Sequence, residues 1–269
     1  MQKFQDQKGF SLLEVLIALA IMGVVTTAVF QVHIVQHKNY MTQEDITEIQ
    51  QNARASIDEI GRNVRMAGNE LPAGLEALEA YDTNPDTIVV NFMATGCDTY
   101  LSSPMPQPSA ELKCGSDVSC FESGQWVYIY EPAVGIGEWF LITHVQTGAN
   151  HIQHNTMSLS RKYDSNSLLL GLERVKFFID NASDPAHPNL MIERLSTGPQ
   201  VFAENITDLQ FKYRMKNGTV VDLPIVIDNV REVQMTVTGR SNKPDYEAKT
   251  GEEFKYRTFN SSVFLRNIL

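Results

Sequence analysis

The chain has 269 residues, 43% of them hydrophobic and 20% charged, which excludes a disordered chain and leaves length for a real core. Its net charge of −10 disfavours a general nucleic-acid binder, because such a surface repels phosphate backbones. Three cysteines are too few for a disulfide-dense mini-fold or a four-cysteine zinc site.

Residues 10–30 read FSLLEVLIALAIMGVVTTAVF, in which 16 of 21 positions are apolar and one, Glu14, is charged. A helix of that length spans about 31 Å, enough to cross a bilayer core. The preceding segment is short and polar and carries Lys3 and Lys8, which orient that end toward the cytoplasm. A secretory signal fits less well, since its apolar region is shorter and a small-residue cleavage site follows it. Glu14 is the anomaly. A carboxylate within a span costs about 2.5–3.5 kcal/mol on insertion scales, so it calls for a partner and a function.

The helical pattern continues beyond residue 30, with no proline before Pro72. Ile46, Ile49, Ala53, Ile57, Ile60 and Val64 recur at helical spacing and define one apolar face. Gly68 and Pro72 end the pattern. A helix from residue 10 to about 66 would be roughly 85 Å long. Its first half is expected in lipid and its second half, residues 31–68, amphipathic. From about Tyr81 the pattern turns to short strands, with candidates at 87–93, 125–130, 138–145, 152–159, 172–179, 189–195, 209–213, 230–237 and 254–265. Asn217-Gly218 reads as a hairpin turn. Residues 101–119 are rich in Pro, Ser and Gly and read as a long exposed loop, either a contact surface or a tolerated insertion.

The run Lys8-Gly9-Phe10-Ser11-Leu12-Leu13-Glu14-Val15-Leu16-Ile17-Ala18 closely resembles the class III signal of type IV pilins and type II secretion pseudopilins. The resemblance implies an α+β fold: a long N-terminal helix, transmembrane in its first half, packed on an antiparallel β-rich head. It implies a leader of residues 1–9, a span at 10–30 and a head at 69–269 with the loop at 97–120. It implies cleavage between Gly9 and Phe10 by a prepilin peptidase and N-methylation of Phe10. Glu14 would neutralise the N-terminal amine of an adjacent subunit as the filament grows. The segment Gln50-Gln51-Asn52-Ala53-Arg54, with Arg62-Asn63-Val64-Arg65-Met66-Ala67-Gly68, further resembles PilW-like minor pilins, and larger J-type pseudopilins look related here. The expected function is therefore a minor pilin of the type IV pilus machine, in assembly initiation or a tip complex. The alternative is a J-like minor pseudopilin of type II secretion. The expected partners are the prepilin peptidase, other minor and major pilins, the inner-membrane assembly platform and the membrane, with no direct nucleic acid. The expected location is the inner membrane, single pass, with the head in the periplasm, and the pilus after assembly.

An exported head would fold in an oxidising compartment. Cys97, Cys114 and Cys120 then allow three single pairings: Cys97–Cys120, which would tie the base of the loop, is preferred, and Cys114–Cys120, which would close only a short ring, is the alternative. His151 and His154 would point to opposite faces of a strand, which is poor chelate geometry. Asp82, Asn84 and Asp86 mimic the start of a calcium loop, but Thr87 and Met93 stand where that loop needs Gly and Glu, so an Asx-rich turn is the better reading. Some pseudopilins bind calcium, so the resemblance leaves a site of another kind open. Otherwise no metal or cofactor is expected. No G-x-S-x-G, phosphate-loop or H-E-x-x-H motif occurs, and the chain is not expected to be an enzyme.

Overall fold

The computed structural model describes residues 10–244 and 254–267. The chain divides into two compact units, Met1–Glu48 and Ile49–Leu269. One helix, α1 (Leu12–Met66), contributes to both. In the first unit every described side chain from residue 10 to residue 40 is exposed, Val24 and Phe30 among them. Among the described residues α1 is the one helix long and apolar enough to cross a bilayer.

In the second unit, residues 49–66 of α1 pack on a β-rich head. The buried stripe is Ile49, Ala53, Ser56, Ile60, Gly61, Asn63 and Val64, with Ile57 partly buried against the same core. A Cβ on Gly61 would stand 3.3 Å from Val263 Cγ2, and one on Gly239 would stand 3.0 Å from Ile49 Cγ2, so glycines set how closely helix and sheet approach. The helix stops two residues before Gly68, which has φ +81°, and Asn267 Nδ2 donates to the carbonyls of Arg65 and Ala67.

The strands are β1 (Leu78–Tyr81), β2 (Thr87–Tyr100), β3 (Leu112–Lys113), β4 (Trp126–Glu131), β5 (Ile136–Leu141), β6 (His144–Gln146) and β7 (His151–Gln153). They continue as β8 (Leu168–Asp180), β9 (Asn189–Arg194), β10 (Gly198–Ala203), β11 (Ile206–Met215), β12 (Val220–Val221), β13 (Val230–Arg240) and β14 (Tyr256–Phe264). One sheet runs β1-β2-β8-β4-β5, with β9 on β8 and β10 on β9; a second runs β12-β11-β13-β14; a third runs β3-β7-β6. Every pairing in the three sheets is antiparallel. The Asn217-Gly218 turn links β11 to β12, with Gly218 at φ +89° and Tyr213 paired with Val221.

Two cores result. The main core joins Ala53, Ile60 and Val64 of α1 to Ile88, Phe177, Phe211, Val233 and Val263 on the sheets. A second core gathers Leu101, Met105, Leu112, Val118, Phe140, Ile152 and Tyr163 around Cys97 and Cys114. The expected exposed loop at 101–119 is corrected here. Its polar residues face outward, but its apolar side chains are buried and carry that second core.

Candidate functional site

The N-terminal site is built from the first turn of α1. Ser11 precedes the helix, and its Oγ accepts the Glu14 N–H at 3.2 Å. The Ser11 N–H reaches back to Glu14 Oε2 at 3.4 Å. This reciprocal pair is a capping box, S-x-x-E, which satisfies two backbone donors the helix start would leave orphaned. The carboxylate also sits at the positive end of the helix dipole. Phe10 is exposed immediately before it. The site thus presents an exposed carboxylate, four residues from Phe10, with acceptor capacity beyond its local bond. Lys3, Lys8 and Gly9 lie outside the described residues.

Within the head, the structure joins Cys97 to Cys120, with Cα atoms 5.9 Å apart. Cys97 falls where β2 changes register against β8, between Met93 and Asp98. Cys114 stays a free, buried thiol, which sets aside the Cys114–Cys120 alternative. Burial pushes that thiol up to about 11, against a hydrogen bond from Thr99.

The two histidines do not converge. His151 Nδ1 lies 3.4 Å from Glu111 Oε1. His154 is buried past the end of β7, with Nδ1 2.9 Å from the Met157 carbonyl and Nε2 2.8 Å from the Ala110 carbonyl. It ties the 101–119 segment to β7. Among the described residues, no group of three or more His, Cys, Asp or Glu is placed to hold a metal ion.

Asp86 does more than turn the chain. Its N–H donates to the Leu209 carbonyl at 2.8 Å, and its Oδ2 accepts the Phe211 N–H at 2.8 Å, so it clamps the approach to β2 onto β11. Burial pushes the carboxyl up, opposed by the Phe211 N–H, and Oδ1 is buried without a hydrogen-bond partner. Sequence reasoning also missed Glu138, whose carboxylate accepts the Ser160 N–H at 3.0 Å, the Ser160 hydroxyl at 2.7 Å and the Tyr163 hydroxyl at 3.0 Å. Local pattern marks Asp86 only as part of an Asx-rich turn and does not mark Glu138, since both find their partners across long sequence separations.

The Gln50–Gly68 motif residues have local duties. Asn52 Nδ2 donates to the Glu204 carbonyl at 3.2 Å, Arg62 pairs with Glu59 at 2.7 Å, and Arg194 reaches the same carboxylate at 3.5 Å. The motif therefore docks and ends the helix.

Residues 5–30 match the family model of the prokaryotic N-terminal methylation motif. No curated protein matches the chain. With the helix and capping box in register on that motif, the segment is a class III signal of the type IV pilin and pseudopilin kind. That signal implies processing by a peptidase and anchoring in a membrane through the apolar helix.

Proposed function

We propose that this chain is a minor pilin of the type IV pilus machine, acting in assembly initiation or in a tip complex. The observation that carries the reading is Glu14, the one carboxylate of an otherwise apolar span, in register with Gly9 and Phe10. After cleavage, Phe10 bears a new α-amine. Glu14 of one subunit pairs with that amine on the next, and the charges offset one another's cost in hydrocarbon. The capping box lowers the cost of holding the carboxylate until a partner arrives. The work is mechanical: helices bundle, and heads stack outside the membrane. The large head, with several buried clusters and a disulfide, suits a low-copy subunit.

The test is intact-mass and N-terminal peptide mass spectrometry of the membrane-extracted protein, together with Glu14→Ala. The expected chain begins at N-methyl-Phe10, and Glu14→Ala is cleaved normally yet supports at least tenfold fewer filaments. A chain still beginning at Met1, in cells with active prepilin peptidase, refutes the reading. Co-purification with secretion pseudopilins in place of pilus subunits moves the assignment to the J-like pseudopilin of type II secretion.

A further inference from the structure

At one end of the second sheet, the last residues of β11, the β11–β12 turn, the start of β13 and the end of β14 enclose a cleft of about 370 Å³. Arg214, Lys216, Arg231, Glu232 and Phe264 line it. Arg214, Glu232 and Phe264 form one cross-strand row. Glu232 is nearly buried, and its Oε2 is engaged by Arg214 Nε at 2.8 Å. That pair is neutral. Lys216 and Arg231 are exposed and have no carboxylate partner among the described residues. Among the described residues, the cleft therefore carries two positive side chains without a carboxylate partner, in a chain of net charge −10. Phe264 is 56% exposed beside them, a large apolar surface left in water. Arginine and exposed aromatics are the residue types enriched in protein interfaces and their hot spots.

We propose that this cleft receives an acidic segment of a different pilin-type subunit, with an apolar side chain of that segment seated on Phe264. The inference rests on the pilin reading above and names the partner chemistry of one face of the head. Charge complementarity selects the occupant. Carboxylates answer Lys216 and Arg231, and complementary charge fixes register and speeds encounter. A second copy of this chain brings the same strong negative charge and is repelled at close range. Nucleic acid draws its affinity from many phosphates at once. The surface next to the cleft, with Gln234, Thr236 and Asn260, adds only Lys212 as a cation, and its ammonium is paired with Asp222 at 2.8 Å.

The experiment places the photoreactive residue p-benzoylphenylalanine at position 264 of the full chain, in the cells that make it. After irradiation, the adduct is identified by peptide mass spectrometry. The expected adduct is a peptide containing Asp or Glu from another chain that carries a class III signal. Lys216→Glu with Arg231→Glu should lower its yield at least tenfold, while Lys216→Arg with Arg231→Lys retains it. Slow hydrogen exchange of the β11 and β13 amides in each variant shows that the sheet carrying the cleft has folded. An adduct with a second copy, with nucleic acid or with a protein lacking the signal overturns the proposal, as does no adduct or one indifferent to charge reversal. The same sample reports the Phe10 terminus. Methylated Phe10 without the expected adduct defeats this inference alone, and unmethylated Phe10 defeats the pilin reading beneath it.

Discussion

The core beneath α1 draws its side chains from a helix and long strands in regular register, such as Val233 opposite Val263 and Phe211 opposite Met235. The core around Cys97–Cys120 is filled about half from irregular chain, with Met105, Val118, Phe121 and Leu159 all outside any strand. Regular backbone satisfies most of its own polar groups, so burial there needs few added fastenings, Asp86 among them. Irregular backbone does not, and the second core accordingly carries point fastenings: the disulfide, His154 on two carbonyls and Glu138 on Ser160 and Tyr163. The comparison teaches that one core is stable through area, and the other through a few replaceable links.

The largest expected effect tests the first half of that statement. Ile60 is fully buried between α1 and the sheets. Ile60→Ala should cost about 2–5 kcal/mol in urea unfolding of the detergent-solubilised chain, from lost transfer energy and the cavity left behind. A loss below about 1 kcal/mol would show that the helix is held mainly by something other than this stripe. The second test concerns the links. Cys97 and Cys120 are 23 residues apart, and releasing a loop of that size costs about 3 kcal/mol in the chain-entropy account. Cys97→Ser with Cys120→Ser should admit protease between residues 101 and 119 while hydrogen exchange in the main core stays slow. Simultaneous loss of protection in both cores would join them into one cooperative unit.

The same contrast sets what the sequence makes legible. The amphipathic face of α1 and the alternation of Leu209, Phe211 and Tyr213 are periodic, and the structure buries them as periodicity predicts. The strand expected at 87–93 extends to Tyr100, because β2 resumes beyond an interruption at Gly96, φ +62°, which a period-two pattern reads as an end. The single strand expected at 138–145 is two strands in different sheets, and the one expected at 152–159 is only His151–Gln153. Beyond Gln153 the chain turns at His154, whose ring is held by carbonyls at positions 110 and 157. β10 was missed since Pro199 argues against a strand; it pairs only with β9 and so occupies an edge, where proline is tolerated. At the N-terminus the whole motif is local, so Glu14 was legible, although its S-x-x-E capping box with Ser11 went unread; the partners of Asp86 and Glu138 depend on distant chain.

His154 offers a smaller test of the point fastenings. His154→Leu keeps much of the apolar volume against Phe140 but removes the ring N–H that serves the Ala110 or the Met157 carbonyl. The expected cost is about 1–3 kcal/mol. It should appear first as faster proteolysis at residues 101–119, not as an altered main-core midpoint. An unchanged cleavage rate would remove His154 from the links that hold the second core.

The smallest effect belongs to Asp86, the polar fastening set beside the main core, and it carries a sign. Its folded pKa is raised above the unfolded value, chiefly by burial. Folding therefore favours the protonated carboxyl. Its contribution is fully present below the unfolded pKa and is lost as pH rises through the folded one. Asp86→Asn has the shape of the protonated form at every pH, and its amide oxygen can still accept the Phe211 N–H. The variant should match wild type in urea midpoint near pH 3 and exceed it near pH 7, with the gap opening between. A midpoint below wild type at pH 7 would mean that the charged form, through its bond to Phe211, outweighs the desolvation that burial imposes. The main core would then depend on a charged link of the kind the comparison assigns to the other.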